Sequence, residues 1–175
     1  MKRMNVSCFV LVIAIVLIMS PLSSGQNKRT SQYVISYNGF GPVKVGMTVS
    51  EASKALSIPL VREQGYEGDC YYVAPKQGLK DVSFMVTGKR ISRIDVSNRG
   101  YATDRGARVG DTEARIMKLY RGMVKVSPHP YVDGHYLRID GKGGKFSIIF
   151  ETDGKRVTSF RAGKSREVGY IEGCS

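Results

Sequence analysis

The second half of this 175-residue chain repeats the pattern of its first half, and this internal repeat constrains the fold more than any other feature. The stretch VKVGMTVSEASKAL begins at Val43, and ARVGDTEARIMKLY begins at Ala107. Further along, CYYVAPKQGLKDVSFMVTGKRISRIDV begins at Cys70, and HYLRIDGKGGKFSIIFETDGKRVTSFRA begins at His135. In each copy a short helical pattern precedes segments that alternate as strands do. The repeat predicts an α+β fold of two tandem repeats, each a short helical element packed on a small antiparallel β-sheet.

The residues before the repeats have the order of an export signal. Lys2 and Arg3 precede an apolar run from Cys8 to Met19, and small residues follow as far as Gly25. A positive region, an apolar region and a small-residue cleavage zone, in that order, are typical of a secretory signal peptide. The alternative is an uncleaved membrane anchor, but a spanning helix needs about 20 apolar residues and this run is shorter.

The chain is therefore predicted to divide into four parts. These are a signal peptide (1–25), a disordered lead (26–32), repeat 1 (33–100) and repeat 2 (101–175). We expect an exported protein, in the periplasm or outside the cell, with no stable membrane insertion once the signal is cleaved.

Two cysteines remain after loss of the signal peptide. Cys8 leaves with the signal, and its place early in the apolar run does not suit a lipoprotein, which needs its acceptor cysteine at the end of that run. Exported thiols in even number tend to pair, so Cys70 and Cys174 are predicted to form a disulfide. Closing so long a loop would stabilise the fold by about 4 kcal/mol. Two free buried thiols are the alternative.

Strand alternation assigns the side chains to two faces. Val82, Phe84 and Phe150 fall on the face that packs against the helical elements. The opposite face mixes aromatic, apolar and charged side chains, and tyrosine and arginine are enriched at protein interfaces. The predicted binding residues on that face are Tyr71, Met85, Arg93, Tyr136, Arg138, Ile149 and Arg161.

The opening of repeat 1 resembles a known group of bacterial envelope domains. GPVKVGMT (41–48), followed by Glu51, Ala52 and Leu56, is similar to the opening of domains of the SmpA/OmlA (BamE) type. The tandem arrangement resembles that of the β-lactamase inhibitor protein superfamily, which implies a concave sheet that grips another protein. The chain departs from the assembly lipoproteins because it lacks their lipid-bearing cysteine.

The sequence offers little for catalysis or metal binding. His129 and His135 flank Asp133, but their spacing fits no compact metal motif and the chain has only these 2 histidines. The serines lack the Gly-x-Ser-x-Gly pattern of a nucleophile elbow. We therefore expect no enzyme activity, no metal and no cofactor.

The charge of the chain limits its partners. The whole chain carries +12, and loss of Lys2 and Arg3 with the signal leaves +10. Such a charge favours acidic partners, but the basic residues are interspersed with acids, and export argues against nucleic acid as partner.

Three hypotheses for function follow. The first is a protein-binding module of the cell envelope, such as an inhibitor or immunity protein that covers an enzyme. The second is a binder of anionic cell-wall or envelope polymer. The third is a small hydrolase, which would need His129, His135 and a carboxylate within hydrogen-bond reach of one another.

Overall fold

The structure, a computed structural model, describes residues 33–174, so the predicted signal peptide (1–25) and lead (26–32) lie outside the described residues. The described residues form twelve strands and three helices. The strands of the first half are β1 (Val34–Ser36), β2 (Gly39–Phe40), β3 (Val43–Lys44), β4 (Leu60–Arg62), β5 (Cys70–Pro75), β6 (Val82–Thr87) and β7 (Arg90–Val96). Those that follow are β8 (Ala102–Thr103), β9 (Val124–Pro128), β10 (His135–Asp140), β11 (Phe146–Thr152) and β12 (Val157–Lys164). The helices are α1 (Val49–Leu56), α2 (Glu113–Leu119) and α3 (Ser165–Val168).

Eight of the strands form one continuous sheet. Their order is β4-β5-β6-β7-β12-β11-β10-β9, and every neighbouring pair is antiparallel. The order is a mirror image about the β7–β12 pair, with four strands from each half of the chain. The remaining strands form a smaller sheet in the order β3-β2-β1-β8, in which β1 runs parallel to β8.

The predicted fold class, with a helical element on a small sheet in each repeat, is wrong. The described residues are 42% strand and 13% helix, so the fold is mostly β. The two sheets expected from the repeats merge because β7 pairs with β12, with Ala162 opposite Ile94. An exposed strand edge leaves a row of unpaired backbone groups, and joining the two edges satisfies them. The helices have only 8, 7 and 4 residues, too few to form a layer of their own.

One face of the large sheet carries the core. Phe84, Phe150 and Phe160 project from its strands and are fully buried. Ala52 of α1 and Ile116 of α2 belong to the same apolar cluster, as do residues of the smaller sheet. The helices and the smaller sheet therefore cover this face, and the second face is left for other contacts.

The two segments that carry the sequence repeat make matching contacts. Arg90 Nη1 donates to the carbonyl oxygen of Gly46 at 2.8 Å, and Arg156 Nη1 donates to that of Gly110 at 2.8 Å. The first bond holds the loop before α1 against the start of β7, and the second holds the loop before α2 against the start of β12. The boundaries of the repeats at 33–100 and 101–175 stay predictions.

Within residues 33–174, no helix is both long and apolar enough to cross a bilayer.

Candidate interaction site on the second face of the sheet

The second face of the eight-stranded sheet is partly covered by the end of the chain. Residues 165–174, which include α3, lie across this face, and we call them the C-terminal strap. The predicted disulfide is confirmed, since Cys70 and Cys174 are bonded with their Cα atoms 5.3 Å apart. It fixes the end of the strap to the first residue of β5. Val168 of the strap packs with Tyr136 and Ile149 in a small buried cluster.

Two of the predicted binding residues hold the strap by its backbone. Arg93 and Arg161 are each only 4% exposed. Arg93 Nη1 donates to the carbonyl oxygens of Glu167 at 2.9 Å and Tyr170 at 2.8 Å. Arg161 Nε donates to the carbonyl oxygen of Val168 at 2.6 Å. The surface predicted to bind a partner therefore binds the strap of its own chain.

Each buried arginine also has a carboxylate partner on the sheet. Arg93 Nε lies 2.9 Å from Asp95 Oδ2, and Arg161 forms an ion pair with Glu151. Burial is the largest effect and lowers the pKa of Arg93, but the hydrogen bonds to Asp95 and the charge of Asp95, together with the nearby Tyr72 and Tyr136, outweigh it and the pKa is raised. Burial, and then the charge of Arg93, lower the pKa of Arg161. Both stay charged near neutrality because an arginine pKa lies so high, and pairing offsets the cost of burying them.

The position predicted for Tyr71 is wrong by one residue. Tyr71 stands opposite Val86, which belongs to the core, while Tyr72 stands opposite Met85 on the second face. Alternation fixes which residues of one strand share a face, but the register between strands depends on the connecting loop. The Tyr72 hydroxyl accepts a hydrogen bond of 2.7 Å from Arg93 Nη2, so Tyr72 is the tyrosine of β5 that contributes to this face.

The other predicted residues lie around the strap. Met85, Tyr136 and Ile149 are buried, and Tyr136 and Ile149 pack beneath the strap. Arg138 is half-buried, and its Nη2 lies 2.9 Å from Ser147 Oγ. Except for Tyr71, the predicted binding residues of both halves therefore lie on the face of the sheet that the C-terminal strap covers.

An open groove runs along the strap. Its larger part has a volume of about 520 Å³ and is lined by Ser83, Asp95 and Arg161 among others. A neighbouring part of about 300 Å³ continues along the strap to Gly173. Both parts share Glu63, so they form one depression on this face. Its size is that of sites which accept a small ligand or a few side chains of a partner.

Large apolar side chains stand exposed at the rim of this groove. Ile171, which lines the groove, is 48% exposed, and Tyr131 beside the strap is 65% exposed. The Tyr131 hydroxyl donates a hydrogen bond to the carboxylate of Glu172, which follows Ile171, so the loop after β9 reaches the strap. This bond raises the pKa of Tyr131. Exposed apolar and aromatic side chains around a depression are typical of a protein interface.

Glu63 is a half-buried carboxylate inside the groove. Burial raises its pKa, and the nearby charge of Asp95 raises it further, with no hydrogen bond or cation within residues 33–174 to offset either effect.

Sequence reasoning missed Glu63 and the rim residues Tyr131 and Ile171. The one sequence signal of the rim was Tyr131, an aromatic residue in the turn-forming stretch PHPYVDG (128–134).

The two histidines lie against different carboxylates. His135 Nδ1 is 2.8 Å from Glu113 Oε1, whereas His129 Nε2 is 3.8 Å from Glu151 Oε2. The shared constellation that the hydrolase hypothesis requires is therefore not formed in residues 33–174. In the same range no three histidine, cysteine, aspartate or glutamate side chains converge as metal ligands would.

Comparison with known proteins adds information on the fold alone. No family model matches the chain, and no curated protein matches it. The chain is similar to the crystal structure of the uncharacterized protein YfeY from Escherichia coli, with a TM-score of 0.50 and 13% identity, over 75% of this chain and 99% of that one. At this identity the likeness shows a related fold. The resemblance to BamE-type domains and to the β-lactamase inhibitor protein stays a prediction.

Proposed function

We propose that this chain is an exported, non-enzymatic protein-binding module of the bacterial cell envelope, and that the groove beside the C-terminal strap receives the partner. The observation that supports the proposal is the exposed rim of Tyr131 and Ile171. The disulfide fits an oxidising compartment, as export to the periplasm or the exterior requires. A role as an inhibitor or immunity protein belongs to the same proposal.

The groove is better suited to a partner than the arginines beneath the strap. Arg93 and Arg161 already bind carboxylates and backbone carbonyls, so little of their bonding capacity is free. Among residues 33–174 no hydrogen bond contributes to the pKa of Glu63, so its carboxylate can accept one from a partner. A partner that places apolar side chains on the rim and a donor against Glu63 would bury Asp95 and Arg161 at little cost, because these two charges are already paired, and its donor would supply the hydrogen bond that Glu63 lacks.

The test starts from the chain from residue 26 onward, with its disulfide formed. It is immobilised and exposed to an envelope extract, and a captured protein is identified, purified and titrated by calorimetry. Tyr131→Ala and Ile171→Ala are each expected to weaken binding by about tenfold or more, because exposed anchors at an interface carry most of the binding energy. Met117→Ala is the matched control, since Met117 is 44% exposed on α2, away from the groove.

The proposal is wrong if no protein forms a saturable one-to-one complex. It is equally wrong if the complex forms with the same affinity in the Tyr131, Ile171 and Met117 variants. Conversion of the captured protein or of a small molecule by the chain would show an enzyme instead.

A further inference from the structure

One end of the eight-stranded sheet concentrates positive charge. Strand pairing brings Arg90 opposite Thr87 and Lys164 opposite Phe146, so the start of β7 and the end of β12 lie at the same end as the start of β11. The backbone nitrogen of Ser165 donates to the carbonyl oxygen of Lys145 at 3.0 Å, which ties the turn between β10 and β11 to the strap. The six cations of this region, called the basic end, are Lys89, Arg90, Lys142, Lys145, Lys164 and Arg166.

The charge of the basic end is compensated only in small part. None of its six cations forms an ion pair within residues 33–174. The nearby Glu167 is buried and accepts a hydrogen bond of 3.1 Å from Thr87 Oγ1. Asp140 is already bound to Lys125 and Arg138. Two carboxylates lie beside these cations: Asp69 lines the same cavity as Arg90, and Glu51 is close enough for the charge of Arg90 to help lower its pKa.

The basic end is also concave. Arg90, Lys164 and Arg166 line one cavity of about 400 Å³, together with Thr87 and Tyr170. A cavity of this size accepts an anionic group between several cations. Arg166 lies 6.0 Å from the centroid of the Tyr170 ring, a contact that helps to hold its guanidinium beside the cavity.

We propose that the basic end binds a linear anionic polymer through the phosphate or carboxylate groups of successive units. Neighbouring strands lie about 4.8 Å apart, so cations carried by β7, β12 and the β10–β11 turn form a row that spans roughly 10 to 15 Å. Such a row meets several charges of an extended polymer at once. Binding then releases counterions from both surfaces, which makes the affinity strongly dependent on salt.

The chemistry of this end favours a polymer over a lipid bilayer. Proteins that lie on membranes insert large apolar side chains beside their cations. The turns at residues 87–90 and 141–145 carry no exposed large apolar residue. The exposed large apolar residues of the described part of the chain all lie elsewhere: Val34, Val61, Met117, Val126, Tyr131, Val132 and Ile171.

The experiment uses the disulfide-bonded chain from residue 26 with two polymer probes, linear polyphosphate and poly-L-glutamate, and with vesicles rich in phosphatidylglycerol. Affinity for at least one polymer is expected to fall steeply between about 50 and about 200 mM salt. The triple variant Lys89→Gln/Lys142→Gln/Lys145→Gln is expected to weaken polymer binding by about tenfold or more and to reduce the salt dependence, because it removes three contacting charges. All three lysines lie in exposed turns, so the fold is retained.

The matched control removes the same charge elsewhere. Lys54→Gln/Lys76→Gln/Lys118→Gln changes three exposed lysines outside the basic end and is expected to leave most of the affinity. The inference is overturned if the control triple weakens binding as much as the turn triple, or if neither polymer binds. It is also overturned if the chain binds the vesicles and neither free polymer. None of these outcomes bears on the groove, whose partner is tested separately.

Discussion

At the scale of single residues, Asp140 is a carboxylate held by several hydrogen bonds at once. It accepts hydrogen bonds from Lys125 Nζ at 2.9 Å, Arg138 Nε at 2.8 Å and Ser147 Oγ at 2.7 Å. Its bond to Lys125 first, and then those to Ser147 and Arg138, hold the pKa of Asp140 well below its usual range. Asp140 thus contributes stability in its ionised form. That contribution is complete above the unfolded-state pKa and is lost as the pH falls toward the folded-state pKa.

We expect Asp140→Asn to change how stability depends on acid. Between about pH 5 and about pH 2, the free energy of unfolding should fall less steeply in this variant than in the parent, because one proton-linked group is gone. Urea unfolding at a series of pH values measures the slope. Asp104→Asn is the control, since Asp104 is an exposed aspartate and this variant keeps every hydrogen bond of Asp140. Parallel curves for parent and Asp140→Asn would show that these hydrogen bonds do not form.

At the scale of elements, alternation predicted the strands that carry most of the buried side chains. The segments that became β5, β6, β7, β10, β11 and β12 each have five or more residues, enough to show a period of two. Strands β2, β3 and β8 have two residues each, too few to show any period, so the smaller sheet was missed. The strand pattern did not predict the union of the two halves, because it does not say which strand edges will pair, and only the resemblance to the β-lactamase inhibitor protein implied one concave sheet.

The candidate site was predicted only in part, for a related reason. Alternation placed Arg93 and Arg161 on the second face correctly, but it could not show what covers that face. The strap has no periodic pattern, and its position depends on backbone carbonyls that any sequence carries. The Cys70–Cys174 disulfide, which was predicted, was the one signal that the chain end returns to this sheet.

The β7–β12 junction depends on a glycine, and we expect Gly163→Ala to weaken it. Gly163 stands opposite Arg93 with φ of 152°, and an added Cβ would lie 2.3 Å from the carbonyl oxygen of Ser92. The loss of stability should exceed about 2 kcal/mol, because backbone atoms must move to relieve the clash. Gly122→Ala is the control, with φ of 74° but no atom within 4 Å of the added Cβ. Equal losses of stability in the two variants would mean that the positive φ accounts for the loss and that the clash with Ser92 does not contribute.

At the scale of the whole molecule, two of the connections between the halves of the chain differ in kind. The first is the β7–β12 pairing in the middle of the large sheet. The second is the Cys70–Cys174 disulfide, whose cysteines are separated by 104 positions along the chain and which joins β5 of the first half to the strap that follows β12. One connection is made of backbone hydrogen bonds and the other is covalent, so redox conditions affect them differently.

We expect the double variant Cys70→Ser/Cys174→Ser to be less stable than the oxidised parent by about 4 kcal/mol, because the loop closed by this disulfide is long. Urea unfolding with and without a dithiol reductant measures the effect. Reductant should bring the parent to the stability of the variant and leave the variant unchanged. An oxidised parent that unfolds at the same urea concentration as the variant would show that the disulfide adds no stability.

The disulfide also decides what proteolysis can do to this protein. Residues 70–174 form a closed covalent ring, so hydrolysis of any single peptide bond inside it opens the ring without separating the two pieces. A protease that nicks the loop at 129–134 or the turn at 141–145 would leave one molecule in which every strand is still attached. Only a second nick, or reduction, would release a fragment.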